Sequence, residues 1–221
     1  MSQKKRIKTP RRVVEMIDAI FPTRYDFEEM LAEQAERTQE GVRIFVDWLD
    51  HHPVDEPSAL SRIESDVDAF RYSLEEKLGD SFSTPFDRQD IYSLSRQMDY
   101  ILGFSLATAR EMHLFQVTPD RPIREMAEAL LAGTGHVAAG ARAIGTDQQK
   151  LREAIREARR TIHTIGDTYM LGMKVLLESP ITADMLKRRE VYHHLWDAGG
   201  ALQSTVDILH KAAVGIDLGG T

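Results

Sequence analysis

Apolar residues recur along this chain at three- and four-residue steps, the spacing that gathers them on one face of an α-helix. The first such stripe runs from Tyr25 to Leu49 through Phe27, Leu31, Ala35, Thr38, Val42 and Phe45. A second carries Leu60, Ile63, Val67, Phe70, Leu74 and Leu78, and a third Ile91, Leu94, Met98, Ile101, Ser105, Ala109 and Met112. A fourth passes through Ile123, Met126, Leu130, Val137 and Ile144. Its glycines, Gly133, Gly135 and Gly140, predict either a break or close packing there. The fifth runs from Leu151 to Leu176, and the last from about Asp184 to Val214. The segments "HHPVDEPSA", "GDSFSTPFD", "TPDRP" and "ESPITAD" separate the stripes with the residues that end helices. No strand-like alternation of useful length occurs. Six main helices with short connections imply an all-α, elongated antiparallel bundle.

The pattern also reads as a duplication. One helix leads through a proline-containing break to "DIYSLSRQMD", and another leads through "ESPITAD" to "EVYHHLWDAG", so that Ile91-Tyr92 and Val191-Tyr192 hold equivalent places. The period, near 100 residues, exceeds that of solenoid repeats. The expected organisation is a basic leader over 1–20 and one helical domain over 21–214. The domain divides into a first three-helix repeat at about 21–118 and a second at about 119–214, with a flexible end at 215–221.

Composition narrows the class. The chain has 221 residues, 42% of them hydrophobic and 29% charged, which suits a soluble protein with a substantial core. It has no cysteine, which excludes disulfides, thiolate metal sites and a cysteine nucleophile, and fits a reducing cytoplasm. No apolar run reaches the roughly 20 residues that span a bilayer. Lys4, Lys5, Arg6, Lys8, Arg11 and Arg12 resemble the start of a signal peptide. Glu15 and Asp18 interrupt the segment that follows, and no small-residue cleavage site appears, so secretion is not expected. The net charge is −7, and these six cations leave about −13 on the remainder. An acidic body argues against nucleic acid as a partner. The leader reads either as a solvated tail or as a contact for anionic lipid or another protein.

Several carboxylates sit beside the stripes. Glu64 and Asp68 are one helical turn apart, each directly after a stripe residue, and Asp99 follows Met98 in the same way. Two like charges at that spacing need a cation, an arginine or solvent to offset them. Arg71 and Arg96 are at hand, so solvated or salt-bridged flank charges and a metal site both remain open. Asp68 and Asp99 each lie about 15 residues, or roughly 22 Å of helix, from the break near Thr84, so an antiparallel pairing makes them face one another. Asp87 and Asp90 read as an N-cap and a first-turn acid. His163/Asp167 and His193/Asp197 share the spacing His-x-x-x-Asp, which lets one transition ion be held from one helix face, against the reading of ordinary polar histidines.

"IESDVDAFRYSLEEKL" followed by "FSTPFDRQDIYSLSRQMDYIL", with "FPTRYDFEEMLAEQAE" near the start, resembles the PhoU-like family in its branch of phosphate-transport regulators. The resemblance covers roughly residues 20–214. It implies two three-helix repeats and a non-enzymatic accessory role beside phosphate permeases of the Pit type. Some family members bind multinuclear metal clusters through Glu/Asp-x-x-x-Asp motifs. Carried onto this chain, Glu64-x-x-x-Asp68 is intact. The acid expected four residues after Asp99 is Gly103, and the first acid of the fifth helix is His163 ahead of Asp167. The acids expected near Trp196, Gly200 and Ser204 are absent. The candidate metal residues are thus Glu64, Asp68, Asp99, His163 and Asp167, with at most one weakly held ion on the first three. A divalent or iron ion of open identity is the candidate cofactor.

The expected protein is a cytoplasmic regulator, peripheral at the inner membrane face through its leader, homo-oligomeric and working with a Pit-type permease. A metal-free interaction scaffold is the alternative. A ferritin-like di-metal enzyme fits less well, since that site wants two Glu-x-x-His motifs and the chain offers one, Glu190-x-x-His193. No phosphate loop, nucleotide-binding glycine pattern or nucleophile elbow is present.

Overall fold

Aspartate side chains start four of the six helices among the described residues. The computed structural model describes residues 25–178 and 180–219, the last five of these in backbone only. Asp26 accepts a hydrogen bond from the Glu29 amide at the start of α1 (Phe27–His51), and Asp87 accepts from Gln89 ahead of α3 (Arg88–Phe115). Asp120 accepts from Ile123 to open α4 (Arg121–Ala143), and Asp147 from Lys150 to open α5 (Gln148–Leu177). Each satisfies an amide that the helix itself leaves without a partner. α2 (Ser58–Asp80) begins after Pro57, and α6 (Ala183–Gly219) begins where the Thr182 hydroxyl accepts from the Met185 amide. Among the described residues there is no strand, and no helix is long and apolar enough to cross a membrane.

The stripes become the core. Phe27, Leu31, Val42, Phe45, Leu60, Leu74, Ile91, Met98, Ile101, Met126 and Leu130 are all fully buried. α1 packs against α4, and α3 against α6, so the centre of the bundle takes one helix pair from each half of the chain. α2 rests on α1 and α3, while α5 rests on α4 and α6. At about 1.5 Å per residue these helices of 23 to 37 residues span roughly 35–55 Å, which gives the bundle its length.

Of the two outcomes expected for the glycines of α4, close packing is the one found. α4 is continuous. A Cβ at Gly133 would lie 2.4 Å from Leu202 Cδ2 and 2.6 Å from Thr161 Oγ1, and one at Gly140 would lie 2.8 Å from Leu209 Cδ2. Missing side chains here let α5 and α6 approach. The end of the chain departs from expectation. Instead of fraying after Val214, the α6 backbone stays helical through Gly219. A glycine inside a helix costs only about 1 kcal/mol, which an already nucleated helix can absorb. The basic leader lies outside the described residues.

Candidate functional site: two crevices between paired helices

In the α2–α3 crevice a guanidinium stands among carboxylates. The Arg71 side chain is 3% exposed. Its Nη2 donates to Asp68 Oδ1 at 2.5 Å and its Nη1 to Glu75 Oε1 at 2.6 Å, both on its own helix. Its Nε lies 3.3 Å from Asp99 Oδ2 on α3, without the alignment of a hydrogen bond. The guanidinium also sits 4.0 Å from the centre of the Tyr72 ring. Arg96, stacked over Tyr100 and bonded to its hydroxyl, approaches Glu75 at 4.0 Å. Burial raises the Asp99 carboxyl above the usual range while the Arg71 charge opposes the rise. Glu64 is also raised, first by burial and then by Asp99 and Asp68, against a weaker opposing pull from Arg110. The chain thus places a cation of its own against Asp68, Glu75 and Asp99. Gly103, where the family pattern has a further acid, leaves open space: a Cβ there would meet nothing within 4 Å.

His163 and Asp167 lie elsewhere. α2 and α5 do not touch, so these two residues and the first three candidates form separate places. His163 and Asp167 line a cavity of about 330 Å³ between α5 and α6, beside Trp196, Gly199, Gly200 and Gln203. Trp196 stacks on Tyr169, with ring centres 5.0 Å apart and planes at 25°. Among the described residues no three His, Cys, Asp or Glu side chains converge as metal ligands would.

The acids around "TPFDRQDIY" have local duties. Asp87 caps α3, and Asp90, nearly buried, pairs with Lys211 of α6 at 2.6 Å. Of the two histidines at the start of α6, His193 lies beside Tyr169, and His194 meets Glu111 of α3 at 3.0 Å. Sequence reasoning passed over Glu75, Trp196 and the Asp120 cluster. Asp120 accepts from Arg188 and from Tyr192, whose hydroxyl is held well above its ordinary pKa by burial and by that carboxylate. Only the aromatic at position 196, beside the stripe residue Leu195, carried a signal in the sequence.

The geometry defines a class first: a bundle of two three-helix halves, each with a crevice between its second and third helices. The chain has the fold seen in PhoU-like proteins. A crystal structure of a PhoU-like protein from Shewanella oneidensis matches with a TM-score of 0.64 at 13% identity, covering 87% of this chain and 98% of that one. A second, described as a PhoU-like phosphate regulatory protein of the same organism, matches with a TM-score of 0.64 at 14% identity over the same shares. No family model matches the chain, and no curated protein matches its sequence.

Proposed function

We propose that this protein is a non-enzymatic regulator of inorganic phosphate transport that acts by docking on a membrane permease of the Pit type. The observation that carries the reading is the likeness in fold, over nearly all of both chains, to a PhoU-like phosphate regulatory protein. A surface feature supports the docking. Near the end of α5, Met170, Leu171, Val175 and Leu177 are each at least 60% exposed, and Ile181 in the following turn is 79% exposed. Large exposed apolar residues gathered in one short segment suit a place where another molecule sits. The basic leader supports contact with the anionic inner face of the membrane.

The test is phosphate uptake and co-purification in cells expressing the full chain with its permease. Loss of the protein should change uptake, and Leu171→Lys with Val175→Glu should weaken co-purification while leaving helicity intact. Deleting residues 1–12 should weaken it in a salt-dependent way. Unaltered uptake without the protein, or no co-purification at any salt concentration, leaves the metal-free scaffold as the better reading. A metal ion held by Glu64, Asp68 and Asp99 would compete with Arg71 for the same carboxylates, and calorimetry with Mg²⁺, Mn²⁺, Fe²⁺ and Zn²⁺ tests for it.

A further inference from the structure

The two crevices correspond in register but are filled differently. Setting His163-x-x-x-Asp167 on Glu64-x-x-x-Asp68 puts Met170 at the place of Arg71. Setting Val191-Tyr192 on Ile91-Tyr92 puts Gly199 at the place of Asp99. In the first half Arg71 enters its crevice from within the chain, between carboxylates and against the Tyr72 ring. Among the described residues of the second half no basic side chain does so. Met170 is 65% exposed, and the guanidinium on the cleft wall, Arg159, is tied to Asp207 at 3.4 Å.

What remains has the features of a receptor for a flat cation. Trp196 is 42% exposed and is braced by Tyr169. Among the described residues Asp167 has neither a hydrogen bond nor an ion pair. Gly166, Gly199 and Gly200 place no side chains in the space between, and at Gly200 a Cβ would meet nothing within 4 Å. An indole face attracts a cation, and a guanidinium adds planarity and paired donors that match a carboxylate. A bare metal ion would find His163 and Asp167 in the cleft lining, but among the described residues no third His, Cys, Asp or Glu converges with them.

We propose that the α5–α6 cleft binds a guanidinium group from outside the chain, laid against Trp196 and paired with Asp167, as Arg71 is held from inside in the first half. A free alkylguanidine and an arginine side chain of a partner protein present this same group.

The test titrates the full chain with agmatine and, separately, with a blocked Ala-Arg-Ala peptide, reading tryptophan emission. Trp48, the other tryptophan, is buried, so Trp196 is the reporter. A saturable change in the millimolar range or tighter is expected. Asp167→Asn should weaken it about tenfold or more, as should Gly200→Leu, which fills the cleft from a position with room for a side chain. Circular dichroism should show both variants as helical as the parent. A response to agmatine assigns the site to small molecules, and a response to the peptide alone assigns it to a protein partner. The proposal is overturned if neither probe gives a saturable change, or if both variants bind as the parent does. It is equally overturned if Mn²⁺ or Zn²⁺ binds through Asp167 and the guanidines do not.

Discussion

Arg71 holds a full positive charge with almost no access to water, a placement that is stable only because Asp68, Glu75 and Asp99 surround it. Glu64 stands at the edge of this set with only the weaker pull of Arg110 to offset its neighbours, and burial raises its carboxyl. Because its carboxyl is raised in the folded protein, its favourable contribution is present below the unfolded value, about pH 4.3, and is lost as pH rises through the folded value. At neutral pH the charge therefore opposes folding. Glu64→Gln should raise the stability at pH 7 by a few tenths of a kcal/mol, given the solvent access of the site, with a correspondingly higher melting temperature, and the gain should vanish near pH 4. A melting series across that range checks the sign, and a gain that grows toward low pH would refute it. The fully buried pair Gln34 and Ser95 makes a second case. Gln34 Nε2 donates to the Ser95 carbonyl at 2.9 Å, and Ser95 Oγ donates back to Gln34 Oε1 at 2.6 Å. Gln34→Leu and Ser95→Ala should each cost about 1–3 kcal/mol, and the double variant less than their sum, measurable by urea titration.

At the scale of elements, two glycines predict opposite responses to one methyl group. Gly133→Ala should destabilise by about 1–3 kcal/mol despite alanine's better helix propensity, because Leu202 and Thr161 already occupy the space. Gly103→Ala meets open space on α3 and should stabilise by about 0.5–1 kcal/mol. Thermal unfolding of the two variants side by side separates close packing from propensity. Arg71 is the staple between α2 and α3, and Arg71→Met should lower stability by about 2–4 kcal/mol by taking the buried cation from Asp68, Glu75 and Asp99. Added Mn²⁺ should return part of that loss in the variant and little in the parent. The helices themselves were legible in the sequence, since nearly every stripe residue from Phe27 to Ile165 is buried where the 3.6-residue period puts it. Their ends were less so. The stretch after Val214 read as a flexible end, but whether a helix ends there depends on what the preceding turns pack against, and a local pattern does not report that.

At the scale of the molecule, the candidate site was legible as residue types rather than as an arrangement. The spacing of Glu64, Asp68 and Asp99 announced an excess of negative charge and even named Arg71 as one remedy, but which remedy is used depends on how far α2 and α3 stand apart. The cleft beside Trp196 was hidden for a similar reason. It is made by side chains that glycines lack, and an empty volume leaves no trace in a linear pattern. The exposed surface near Val175 likewise follows from α5 lying on only α4 and α6, which leaves its outer side uncovered. One further consequence comes from the way the central helices are drawn, α1 beside α4 and α3 beside α6. Neither half keeps its own apolar face covered, so the chain behaves like a zip whose two tapes are useless apart. Cutting the connection at 118–119 should yield two fragments that precipitate when made singly. Co-expressed, they should join again into one particle of the parent's size, which gel filtration would reveal.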